Sequence, residues 1–174
     1  MEITLGVLLK GLRLPFAGEV LTAGAAIIVL NGKYFAPQRG SVFLMGLVAA
    51  VLKLFSLGNV IIGPFMAIIM EGLIAEIILL IFRLNLFSFL FTGAILQLYT
   101  VVHPFIAQGL IYGGDIYKLY AEIYEQVISY TGLTENDIVL ILIIYTAFHM
   151  SFGVLAGFFA WKLKQSIVEK LKEK

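Results

Sequence analysis

The chain contains no cysteine, which excludes disulfides, thiolate metal ligands and a cysteine nucleophile and leaves the redox compartment unmarked. Charge is scarce as well. Asp, Glu, Lys and Arg make up 13% of the 174 residues, against roughly 25% in soluble domains. The formal net charge is +1, so no basic excess points to a nucleic-acid partner. No secretory signal is expected either: Glu2 stands in place of a basic n-region, Lys10 and Arg13 interrupt the first apolar stretch, and no small-x-small cleavage site follows. Catalytic motifs are missing too. There is no H-E-x-x-H, no G-x-S-x-G and no intramembrane aspartate pair, because Asp115 and Asp137 fall in a polar connection. His149 and Ser151, two apart, point to different faces of a helix. Without a glycine-rich phosphate loop the chain is not expected to hydrolyse ATP, and no enzyme or bound cofactor is expected.

What is present is apolar. Hydrophobic residues make up 61% of the chain and mean hydropathy is +1.01. A soluble fold could not cover so much apolar surface, so the composition predicts a single all-α, multi-pass membrane domain. Runs of about 20 apolar residues mark spanning helices. They fall at Val20–Leu30 (extended forward through Pro15, Phe16 and Glu19), Ser41–Leu57, Val60–Phe82, Leu86–Ile106 and Ile138–Trp161. Asn31-Gly32, Pro37, Gly40, Ser56 to Asn59 and Arg83 to Asn85 punctuate the connections. Residues 2–14 carry Glu2, Gly6, Lys10 and Arg13 on one helical stripe. They read as an amphipathic interfacial helix or as a short sixth transmembrane element.

Residues 113–137 form the longest polar segment, acidic and rich in Tyr, a residue of membrane boundaries. Lys33 and Arg39, then Arg83, then the 162–174 tail with five lysines fall on one side if five spans alternate. The positive-inside rule makes that side cytoplasmic and residues 113–137 external, in a cell membrane.

A charge at the bilayer centre costs at least about 2.5–3.5 kcal/mol and needs a reason. At about 1.5 Å per residue, Glu71, Gln97 and His149 lie roughly 15–18 Å below the outer helix ends. Lys53 and His103 lie about 6–8 Å deep, with Asn59 at the rim. Two polar layers biased outward are the pattern of a cavity open to the exterior. Other readings stand beside it. Lys53 also suits a snorkelling side chain, His103 a partner for the carbonyl freed by Pro104, Glu76 a loose pair with Arg83, and Glu71 with His149 a buried interhelical pair. Glu71 and Glu76, about 140° apart around a helix, do not converge easily on one ion, so no metal site is expected.

Small residues four apart let helices approach closely. Gly46 with Ala50 and Gly153 with Gly157 suit packing inside the bundle, whereas Gly18, Thr22 and Ala26 are expected to face a partner.

The stretch Pro37-Gln-Arg-Gly-Ser-Val-Phe-Leu-Met-Gly-Leu-Val-Ala-Ala-Val-Leu-Lys, then Gly63-Pro64 and Glu71-Gly72, resembles the second and third spans of the substrate-binding S components of energy-coupling factor (ECF) transporters. The resemblance implies a fold of about six helices that captures a vitamin-like micronutrient, with a transmembrane coupling subunit and two cytoplasmic ATPases driving its release inward. Glu71, Gln97 and His149 would be the deep ligand contacts, with Lys53, Asn59 and His103 at the mouth. One feature departs from the family: its Ala-x-x-x-Ala docking stripe is replaced by Gly18-x-x-x-Thr22-x-x-x-Ala26. Competing readings are a structural or assembly subunit, a self-sufficient oligomeric channel or exchanger, and a metal-ion uptake subunit.

Overall fold

A computed structural model describes residues 17–55, 62–107 and 138–173, with isolated positions between 109 and 132. The described elements are all helical: α1 (Ala17–Phe35), α2 (Ser41–Leu54), α3 (Ile62–Phe82), α4 (Leu86–Ile106) and α5 (Ile138–Lys172). Three of these, α3, α4 and α5, are long and apolar enough to cross a membrane. With 14 residues, α2 extends about 21 Å, short of a hydrocarbon core of about 30 Å. α1 has 19 residues but includes Glu19, Asn31 and Lys33. Of the five clear spans expected from hydropathy, three are borne out by length and apolarity among the described residues. Residues 2–14, Asn59 and most of the 113–137 segment lie outside the described residues.

Two helices end later than the sequence implies, each with a contact to a distant residue. Asn31-Gly32 reads as a turn, yet α1 runs on to Phe35. The Asn31 side-chain amide donates to the Ile27 carbonyl at 2.9 Å and to the Ala160 carbonyl of α5 at 3.1 Å. A residue that favours turns is thereby held inside the helix. At the other end of the chain, α5 does not stop at Trp161 but continues to Lys172. Lys164 folds back, its Nζ 3.9 Å from the Trp161 ring centre and 4.5 Å from that of Tyr34. Two cation–π contacts therefore fasten the start of the basic extension to α1.

The starts of α2 and α4 are capped differently. Asn85 and Ser88 form a reciprocal capping box on α4, the Asn85 side chain accepting from the Ser88 N–H at 2.8 Å and the Ser88 hydroxyl accepting from the Asn85 N–H at 3.1 Å. α2 has no side-chain cap of its own at Gly40, whose φ of 82° suits only glycine without strain. Its free amides are taken up by a carboxylate from another helix, described below.

Glycine governs the two most extensive helix contacts. α4 packs on α5 where Gly93 meets the backbone of Gly153, and Gly157 meets that of Phe89. α2 packs on α3 where a Cβ at Gly46 would lie 3.0 Å from the Gly72 Cα. Both are interior contacts, as the stripes at Gly46 and Gly153 suggest. α1 lies against α5, α4 and α2, and the core gathers Ala26, Leu30, Val42, Phe89, Leu96 and Ala160. Large apolar side chains such as Ile62, Ile81, Val139 and Phe159 face outward, as a lipid-facing surface requires.

Candidate ligand cavity and buried polar groups

The C-terminal end of α1, the start of α2 and the C-terminal half of α3 meet at a buried ion pair. Lys33 Nζ lies 2.7 Å from Glu76 Oε1, and both side chains are almost fully buried. Glu76 also accepts from the backbone N–H groups of Gly40 at 2.7 Å and Val42 at 2.9 Å. Lys33 donates in addition to the Gln38 carbonyl at 2.7 Å. One carboxylate thus caps α2 from α3 and neutralises a lysine of α1. The partner of Glu76 is Lys33 rather than Arg83, which is exposed. This pairing also removes Lys33 from the set of loop charges used to orient the chain, leaving Arg39, Arg83 and the tail.

Toward the other end, a cavity of about 270 Å³ opens between α1, α2 and α3. Its walls are apolar, with Leu21, Ala25 and Ile28 from α1, Met45 and Ala49 from α2, and Ile68 from α3. Two ionisable side chains line it: Glu71 of α3 and Lys53 of α2. Glu71 Oε1 accepts from the Thr22 hydroxyl at 3.4 Å. The structure therefore brings Glu71 and Lys53 to one space, a carboxylate and an ammonium set in an otherwise greasy wall.

Gln97 and His149 sit elsewhere. Gln97 is buried and donates its amide to the Glu19 carbonyl at 2.8 Å, tying α4 to the first turn of α1. His149 is buried on α5, its Nδ1 3.7 Å from Glu19 Oε1 and its ring centre 4.4 Å from that of Tyr145. Neither residue is among those lining the cavity. His103 hydrogen-bonds the Tyr99 hydroxyl through Nδ1 at 3.0 Å and the backbone of Gly63 on α3. Its contact is thus with backbone of a neighbouring helix.

The small-residue stripe of α1 turns inward. Thr22 and Ala26 are 8% and 1% exposed, Ala26 belongs to the core, and only Gly18 is exposed. Thr22 reaches Glu71, and Ala26 has no free face, so these two positions pack inside the bundle.

Among the described residues, no three His, Asp or Glu side chains gather as a metal site. Glu19 is the residue that sequence reasoning passed over. It reads there as a mere extension of the first span, yet its side chain faces His149 and its carbonyl holds Gln97. An acidic residue immediately before an apolar run was the available signal. Comparison with known protein families, curated proteins and solved structures found no match for this chain.

Proposed function

We propose that the chain is the membrane-embedded capture subunit of a micronutrient uptake transporter, of the ECF type that its second and third helices resemble. The observation that carries this reading is the cavity between α1, α2 and α3, apolar except for Glu71 and Lys53. Small-ligand sites have this character: a mainly hydrophobic hollow with a few polar groups that fix orientation. In this reading Glu71 holds a cationic or hydrogen-bond-donating part of the ligand. Lys53 receives an acceptor or anionic part nearer the mouth. The chain lies in the cell membrane as a multi-pass protein with a cytoplasmic C-terminus. Helices α1 and α2 complete the bundle beside the three long spans, with residues 2–14 as a further short element. A transmembrane coupling subunit and two ATPases supply the energy.

Purification in mild detergent followed by mass spectrometry of the denatured protein tests the reading. A stoichiometric small molecule is expected from the parent and not from Glu71→Gln, with a coupling subunit and ATPases recovered alongside. An empty parent that co-purifies with no such subunits contradicts it.

A second reading has its own support. Gln97, Asn31 and Glu76 all join one helix to another. If the remaining polar residues only did the same, the chain would be a structural or assembly subunit.

A further inference from the structure

We propose that Glu19 of α1 and His149 of α5 form a proton-binding site inside the bundle, holding one proton between them across the α1–α5 contact. His149 is 1% exposed, and neither ring nitrogen has a hydrogen-bond partner. A neutral imidazole carries one N–H donor and one lone pair, and leaving both unmet in an apolar interior is costly. The group within reach is Glu19, with 3.7 Å between Nδ1 and Oε1. A charged N–H···O bond closes to about 2.7–2.9 Å, so a small side-chain movement separates the observed geometry from a made bond. With one added proton the pair is an imidazolium donating Nδ1–H to a carboxylate, and its net charge is zero. Without that proton the same pair holds a net negative charge among apolar side chains, which the interior disfavours. The proton belongs to the pair rather than to either residue.

Among the described residues, several polar groups surround the pair. Tyr145, on the same helix, lies beside the imidazole with its ring tilted by 51°. From α4, Gln97 donates to the Glu19 carbonyl, and Tyr99 is bonded to His103. From α3, Glu71 is reached through Thr22, one turn from Glu19 on α1. A proton needs no cavity, only two basic groups held together, and this is what the packing supplies. The site does not depend on the cavity holding a ligand. However, α1 carries both Glu19 and the Thr22 that touches Glu71, so the two sites share a helix.

The chain has two histidines, which makes the test direct. Protein labelled with ¹⁵N-histidine in lipid nanodiscs is titrated by NMR, and His149→Gln assigns the signals by subtraction. The His149 signals are expected to pass from neutral imidazole to imidazolium in one step on acidification between pH 8 and 5. Glu19→Gln is expected to move that midpoint down by at least one pH unit, a ten-fold weaker hold on the proton. If Glu19→Gln does not fold, Glu19→Asp, which keeps the charge and withdraws it by one methylene, is expected to shift the midpoint as well. A parent His149 that stays in one form throughout the range overturns the proposal. So does a midpoint that is the same in the parent and the folded Glu19 variant.

Discussion

The ion pair at the basic end of the bundle offers the sharpest stability test. Glu76 accepts three hydrogen bonds, from Lys33 Nζ, Gly40 N and Val42 N, all at 2.7–2.9 Å. Glu76→Ala removes them together. It leaves Lys33, which is 3% exposed, with the Gln38 carbonyl but no counter-charge, and leaves the first amides of α2 without an acceptor. Taken singly, charged hydrogen bonds contribute about 1.5–3 kcal/mol each. Such bonds are not additive around one carboxylate, and losing one member of a buried pair costs about 3–5 kcal/mol. The expected loss for Glu76→Ala is therefore about 3–5 kcal/mol. Lys33→Met leaves a buried carboxylate still held by two backbone amides and should fall at the lower end of that range. The double variant Lys33→Met/Glu76→Ala removes both charges at once, so that neither is left buried alone. It should be more stable than the sum of the two single losses by at least about 1.5 kcal/mol. Unfolding in mixed micelles, followed by circular dichroism, measures all three. A Glu76→Ala protein within about 1 kcal/mol of the parent, or losses that simply add, would refute the reasoning.

Other expectations follow from the same contacts. An added Cβ at Gly157 would lie 2.7 Å from the Phe89 carbonyl carbon and 2.8 Å from the Leu90 Cα, so Gly157→Ala should force α4 and α5 apart and lower stability by about 1–3 kcal/mol in the same unfolding assay. Asn85→Ala removes one half of the α4 capping box and should cost about 1 kcal/mol; an unchanged midpoint would mean that the α4 start is held by packing alone. Single cysteines at Ser129 and Lys172, in a chain with none of its own, test orientation: an impermeant thiol reagent on intact cells should label Ser129 and spare Lys172, and the reverse pattern would invert the topology.

The positions of the helices were largely legible in the sequence, because apolar runs and turn residues are local signals. The observed α4 bounds, Leu86–Ile106, coincide with the apolar run, and α2 and α5 start where expected. The failures are places where a distant group overrides a local preference. Asn31 stays helical because Ala160 accepts its amide, and the helix past Trp161 persists with Lys164 lying on two aromatic rings. The Lys33–Glu76 pair spans 43 positions, and nothing in the local pattern of either residue announces the other. Depth below the helix ends grouped Glu71, Gln97 and His149 in one layer. Depth carries no rotation, however, and rotation about each axis is what sends Glu71 into the cavity and the other two toward Glu19.

The cavity claim is tested most directly by titrating the small molecule recovered from the parent protein into purified parent and Glu71→Gln. The substitution keeps the shape of the wall and the contact with Thr22 but removes the charge. Loss of one charged hydrogen bond should weaken binding by about 1.5–3 kcal/mol, roughly ten- to a hundred-fold, while the unfolding midpoint stays near that of the parent. A folded Glu71→Gln protein that binds as tightly as the parent would show that Glu71 is a helix contact and that the ligand site lies elsewhere.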